Sequence, residues 1–470
     1  MLFVANLRAE TIDAFAVEKI QPAAYLLSSH RVAPATLAGA EHVRDLGLPL
    51  FADNGTKLLI DQTLADFRDA ARAILTEVRD IRHALGRSPR GQDIPKALRR
   101  AAGDLADAVV DATVARSKAV DTDALIGLQM SMAPTDLIAQ EDFATACLIG
   151  LGLEREITGW SVSRFETRNR RSLRLWARVV SDPRCAGIRV FAVLSATDYN
   201  TAVAAGRLAA EAGVTNAALG FAGINLDRSA VDSYVLGHAS IGLERPVPRR
   251  YVRLAQIVCG LAEGFRQAGG TLAAFHCLGL GAPVMFPIVA AGFVSGTTVT
   301  MDATSPIHDA VRDHVLYDAS ADGDRASILE IVRRIVAGGD WPFLSPFTVS
   351  FRRKFGHDPK AARAWAAENG HDTIEREHLS TPSTLTRALP LFTAADPDIF
   401  AAARKTWIAH NHWVLDLLGT RLSGADRRAV ALASLARQID DAPSLTVTVK
   451  GLAAAREVLE RKAISEQERG

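Results

Sequence analysis

Cysteine is scarce in this sequence, with four in 470 residues, at positions 147, 185, 259 and 277, and no close pair among them. Such spacing argues against a disulfide scaffold and a cysteine-rich zinc cluster, and predicts buried, reduced thiols. Long apolar runs are lacking too. Ala282 to Val294 is among the longest, contains Pro283 and Pro287, and falls short of the roughly 20 residues a membrane-crossing helix needs. The opening segment MLFVANLRAETIDAFAVEKI carries Glu10 and Asp13 and has no apolar core of signal-peptide type. A soluble, cytoplasmic protein without a membrane partner is expected. Charge of one sign is also missing: 54 Lys and Arg balance 53 Asp and Glu, for a formal net charge of +1. This neither marks nor excludes a nucleic-acid protein, because local patches rather than the total create the field.

What is present is a large apolar fraction, 48%, enough for an extensive core. β-like runs are expected at Ala24 to Ser28, Pro49 to Ala52, Ala124 to Met130, Arg189 to Leu194, Asn216 to Leu219, Leu272 to Phe275 and Thr297 to Met301. Helical runs are expected at Thr63 to Leu85, Glu141 to Leu151, Tyr199 to Ala212, Arg250 to Ala268 and Pro283 to Ala291. Strand and helix alternating this often imply a parallel sheet with helical crossovers. The fold class read from this is α/β, a (β/α)8 TIM barrel with helical insertions and a mostly helical C-terminal region. A doubly wound open sheet is the competing arrangement. The boundaries expected are a catalytic barrel over 1–355, with a helical insertion near 87–121, and a helical region over 356–470. Arg325 to Val336 reads as helical, and WPFLSPFTVSF, Trp341 to Phe351, is the candidate for the last barrel strand. LGLGAP at Leu278 to Pro283 lacks the third glycine of a dinucleotide fingerprint, so no cofactor is expected.

Two carboxylates end apolar runs, Asp53 in PLFADNG and Asp302 in TTVTMD. Strand ends are where barrel enzymes keep their chemistry, and two acids at one rim can divide nucleophile and proton-transfer roles. Taken singly, Asp53 followed by Asn54 and Gly55 also makes a good chain reversal, and Asp302 also suits a helix cap. Gly220, Phe221 and Gly223 follow another strand, where exposed amides could bind a flat heterocycle and Phe221 could stack on it, or where a tight turn could simply place a core phenylalanine. Asp136, Glu141 and Asp142 follow Met130 and Met132, which read as core. His276 ends a strand beside a glycine turn. His308 with His314, and His410 with His412, are not spaced for one helical face, so no metal site is expected. Arginines cluster at 79–100, at Arg164, Arg168, Arg170, Arg171, Arg174 and Arg178, at Arg249, Arg250 and Arg253, and at Arg352 and Arg353. Each reads as a solvated face or as part of a stripe for a phosphate backbone.

PLFADNG, NAALGFAGI and LGLGAPVMFPIVAAGFVSGTTVTMD, in this order, resemble the site segments of tRNA-guanine transglycosylases over roughly residues 20–315. They are nearest the branch that inserts 7-deazaguanine bases into DNA. The resemblance implies a pentosyltransferase in which Asp302 attacks C1′ and Asp53 moves the proton of the base. Gly220 and Gly223 would support the base, Asp136 or Asp142 would read its edge, and Asn54, Gly55, Phe221, His276, Gly279 and Gly281 would line the substrate. Where the family has a glutamine, this chain has Ser195. The implied partners are DNA or tRNA, with DNA favoured, a base such as 7-cyano-7-deazaguanine, and a helper subunit as a further candidate. Arg164, Arg168, Arg170, Arg171, Arg174, Arg249 and Arg250 would face the nucleic acid. The family's zinc-binding cysteines have no counterpart here, since no cysteine follows Cys277. A barrel enzyme acting on a small metabolite, such as a glycosidase or lyase, and a non-catalytic nucleic-acid-binding homologue are the competing readings.

Overall fold

Short apolar runs form the strands of a closed parallel barrel in the computed structural model. The structure describes residues 1–470 except 90, 222, 225–226, 228, 238, 294–295, 321–322, 337–342, 356–359, 361–362, 365–366, 368–395, 443–445 and 468–470. The strands are β1 (Leu2–Asn6), β2 (Tyr25–Ser28), β3 (Leu50–Asp53), β4 (Asp136–Ile138), β5 (Arg189–Leu194), β6 (Asn216–Gly220), β7 (Ala230–Leu236), β8 (Ala239–Pro248), β9 (Ala274–Leu278), β10 (Thr298–Ala303), β11 (Val315–Asp318) and β12 (Asp324–Ser327). The barrel runs β1-β10-β9-β6-β5-β4-β3-β2 and closes on β1, which pairs with β10 and β2. All its pairings are parallel, and helices fill the crossovers as parallel pairing requires. β7 and β8 form an antiparallel hairpin beyond β6, and β11 and β12 form another.

Side chains two apart on a strand face the same side. One set, Val4, Leu26, Phe51, Ile138, Phe191, Val193, Ala218 and Ala274, forms a single cluster that takes residues from β1 to β6 and β9, and so fills the barrel. The alternate set, including Phe3, Phe275, Cys277 and Met301, packs against the surrounding helices. The inward alternation carries Asn6, Ser28, Asp53, Gly220 and Asp302 to the C-terminal rim. Between β3 and β4, helices Thr56–Leu85 and Lys96–Ala119 pack on each other, the second within the stretch 87–121. Helix Pro397–Arg421 buries Trp407, Ile408 and Ala403 in one core with Ala5, Phe15 and Tyr25, so it closes the outer layer behind β1. Leu435, Leu452 and Val458 of the last two helices join the core of helix Arg249–Gln267.

The structure corrects several expectations. Ala124 to Met130 is not a strand but part of helix Thr122–Met130, because the Asp121 carboxylate caps its first turn by accepting from the amides of Asp123 and Ala124. The strand stands later, at Asp136–Ile138. The last barrel strand is not drawn from Trp341 to Phe351. Trp341 and Pro342 lie outside the described residues, and Pro346–Phe355 is a helix entered through Ser345, whose Oγ accepts from the Thr348 amide at 3.2 Å. The eighth place belongs to β1, at the other end of the chain. Arg325 to Ser327 belong to β12, and the helix begins at Ile328. The stretch expected to be helical after Lys360 is helical at Pro397–Arg421, Arg427–Asp440 and Val447–Gln467, while 361–362, 365–366, 368–395 and 443–445 lie outside the described residues. All four cysteines are buried and none is in a disulfide. Among the described residues no helix is long and apolar enough to cross a membrane.

Candidate active site

Asp302 sits at the C-terminal end of β10, opposite Val4 of β1, and is 6% exposed. Three groups, in or just after the two strands β1 and β9, orient its carboxylate. Gly279, just past β9, donates its N–H to Oδ1 at 2.9 Å, and Asn6 of β1 donates its side-chain amide to Oδ2 at 3.1 Å. His276 Nε2 lies 3.3 Å from Oδ1. Gly279 has φ +76°, the left-handed region that glycine enters without strain, in the turn that turns its amide toward the acid. His276 is fully buried, stacked on Phe51 at 5.0 Å between centroids, and its Nδ1 is 2.8 Å from Thr300 Oγ1. Asp302 is therefore a positioned acid rather than the cap of the following helix, whose N-cap is Thr304.

Asp53 ends β3 beside Ser28 of β2, which donates to its Oδ2 at 2.6 Å; the Gly55 amide donates to the same oxygen at 3.2 Å. Burial raises the Asp53 pKa above the ordinary carboxylate value, the Asp302 charge adds to this, and the two donors only oppose it. Glu141 is the third acid. It is 8% exposed, and both carboxylate oxygens stand 3.9 Å from where a Cβ on Gly220 would be. Burial first, then the charges of Asp53 and Asp142, push its pKa up to about 8. One rim thus holds a carboxylate oriented by N–H donors and two carboxyls with raised proton affinity, groups of the kind general acid–base work uses.

The remaining expected residues divide. Asn54 is a buried bracket: its amide donates to the Ala139 carbonyl at 2.7 Å, and its Oδ1 accepts from the Thr56 amide at 2.8 Å. Gly55 has φ +75° and leads into helix Thr56–Leu85. Ser195 follows β5 at the rim, its backbone N–H and C=O both bonded to the Asn169 side chain. Asp136 is brought elsewhere. It begins β4 at the opposite end of the barrel, is 1% exposed, and is paired with Arg189. Asp142 turns into helix Val162–Val180, with Oδ2 at 3.4 Å from Arg168 and 3.8 Å from Arg171. Phe221 is fully buried in the core between barrel and helices, so it does not stack at the rim. Gly223 and Gly281 are packing glycines: a Cβ would meet the Ala146 carbonyl oxygen at 2.3 Å and Ser305 Oγ at 1.7 Å, respectively.

The arginines expected to form a stripe are partly committed to carboxylates. Arg164 pairs with Asp107 at 2.6 Å, Arg168 and Arg171 face Asp142, and Arg249 pairs with Glu154 at 2.8 Å. Arg250 donates to the Tyr251 hydroxyl at 2.8 Å, while Arg170 and Arg174 stand exposed. Among the described residues, no group of three or more His, Cys, Asp or Glu is placed to hold a metal ion.

Sequence reasoning overlooked Asn6 and Ser28 and chose the neighbours of Glu141 instead of Glu141 itself. Asn6 and Ser28 carry the signal that singled out Asp53, a polar residue closing an apolar run. Glu141 stands in a loop, where alternation says nothing about direction.

The fold and these buried acids define a TIM barrel with an enzyme-like site at its C-terminal rim. No protein-family model matches the sequence, and no curated protein matches it. The likeness to tRNA-guanine transglycosylases therefore rests on the ordered motifs, and the fold agrees with it without singling that family out.

Proposed function

We propose that this chain breaks and remakes a glycosidic bond to a purine-like base, with Asp302 as nucleophile and Asp53 and Glu141 handling protons on the base. The observation that carries this reading is the split between the oriented Asp302 carboxylate and the two raised acids around it. Asp302 Oδ attacks C1′, the C1′–N bond breaks, and the departing base takes a proton from Asp53. A second base then attacks C1′ through its ring nitrogen, returns its N–H proton to Asp53, and frees the carboxylate. Two displacements retain the configuration at C1′. Glu141, carrying its proton at neutral pH, donates to a ring carbonyl or nitrogen beside Gly220. Exchange of guanine for a 7-deazaguanine base within DNA or tRNA is the specific form of this reaction that the motif order supports.

A second reading is the same chemistry on a small glycoside. It is favoured by the ion pairs that occupy Arg164, Arg168, Arg171 and Arg249. Incubation with labelled guanine and, separately, tRNA, single-stranded DNA, duplex DNA or guanosine separates the two. Label entering a polymer with the wild type but not with Asp302→Ala supports polymer exchange. Label entering guanosine alone supports the small substrate. No uptake, with no covalent adduct on a denaturing gel, overturns both.

A further inference from the structure

A cavity of about 560 Å³ lies between the insertion, the segment 154–160, the loop after β5, the β7–β8 hairpin and the start of helix Arg249–Gln267. None of Asp53, Glu141 and Asp302 lines it. Its volume falls in the range of small-molecule sites. Four guanidiniums line it, those of Arg99, Arg155, Arg249 and Arg253. Glu154 is shared between Arg249 and Arg253, Asp227 also faces Arg253 at 2.9 Å, and Asp198 pairs with Arg155 at 2.8 Å. Arg99 has no ion pair or side-chain hydrogen bond among the described residues, and the exposed Glu156, the remaining acid of the lining, makes no ion pair with it.

Two observations point to a ligand here. The Nε groups of Arg99, Arg249 and Arg253 and the indole nitrogen of Trp160 are buried donors without hydrogen-bond acceptors. Arg253 itself is 1% exposed. These enclosed nitrogens lie out of reach of a guest in the cavity, which meets the guanidinium ends instead, and of the four arginines only Arg99 brings an end without an ion pair among the described residues. Space has also been kept for Arg99. A Cβ on Gly91 would stand 2.8 Å from its Nη2, and one on Gly159 would stand 3.3 Å from its Cδ. Helix Arg249–Gln267 adds to the field at the cavity, since it begins at Pro248 without a side-chain cap or an acid in its first turn.

We infer that this cavity binds the phosphate group of a nucleotide, with Arg99 as the principal cation. A phosphate offers several acceptor oxygens to donors from different elements, and a guanidinium fork fits it. The group can come from a free nucleotide or from the backbone of a strand lying over the rim. The inference does not require Asp302 chemistry, so its test uses the Asp302→Ala chain throughout. Guanosine 5′-monophosphate, guanosine and a single-stranded DNA 12-mer are titrated calorimetrically. The monophosphate is expected to bind at least about tenfold more tightly than guanosine, and Arg99→Ala is expected to remove most of that difference. Arg99→Lys should give an intermediate affinity. Gly91→Ala, which displaces the guanidinium without removing it, should weaken binding too and stands in if Arg99→Ala fails to fold. Arg99 dependence seen with the 12-mer alone assigns the phosphate to a strand backbone. Equal affinities of the parent and both Arg99 variants for monophosphate and 12-mer overturn the inference.

Discussion

The two ends of the barrel each bury an aspartate and treat it differently. At the N-terminal end Asp136, 1% exposed, meets the Arg189 guanidinium and the Thr135 hydroxyl at 2.7 Å. At the C-terminal end Asp302, 6% exposed, meets an amide, a carboxamide and an imidazole, with two further acids beyond. Buried charge is expensive unless paired, so the first arrangement is what stability favours. The second has no arginine or lysine partner among the described residues and keeps a carboxylate at the rim. One sheet thus carries an aspartate paired with an arginine at one end and, where chemistry is proposed, an aspartate held by Gly279, Asn6 and His276.

The comparison can be broken most sharply at Asp302. Asp302→Asn keeps the shape and the Asn6 contact but removes the nucleophile, and should lower exchange by roughly a thousandfold or more while substrate binding persists. Asn6→Ala should cost less, on the order of tenfold in turnover, because Gly279 still orients the other oxygen; kcat should fall with KM little changed. At the opposite end, Arg189→Ala leaves Asp136 buried without its cation. It should destabilise the fold by about 1–3 kcal/mol in urea unfolding, moderated because Arg189 itself is 41% exposed. Asp136→Asn should cost less, since no unpaired charge remains.

The mildest change sharpens the comparison through pH. Glu141 loses its proton near pH 8 in the folded chain and near its ordinary value of 4.5 when unfolded. Across that window the folded state binds more protons, so the Glu141 contribution to stability falls as pH rises and is fully lost above about 8. Activity should decline over the same alkaline limb as the donor ionises. Glu141→Gln should flatten both profiles and lower neutral-pH activity, by less than Asp302→Asn does. A wild-type rate that keeps rising through pH 9 would remove Glu141 from the proposed mechanism.

Much of this arrangement is legible in the sequence. β5 is found at Arg189–Leu194 as expected, and Asp53 and Asp302 both end their strands at one rim. The failures have local causes. β4 has three residues, too few for a two-residue period to register, and the apolar LIGLQM beside it took its place in the reading. Asp121 was the available clue, as a cap ahead of that run. Ser345-Pro346 was a comparable entry signal ahead of helix Pro346–Phe355. Asp136 and Glu141 could not be sorted from sequence because their directions depend on where β4 starts and on the loop after it. Asn6 is hard to single out because LFVAN sits in the opening segment, which reads first as a possible leader.

Closure of the barrel has a kinetic consequence. The hydrogen bond from Asn6 to Asp302 joins residues 296 apart in the chain, and β1 pairs with β10 through the same contact zone. Contacts of such separation bear the largest loop-closure cost and slow folding. In refolding, helical signal should therefore return before the nucleophile is oriented. Regain of covalent adduct formation would then act as a clock for the moment when the first strand meets the last.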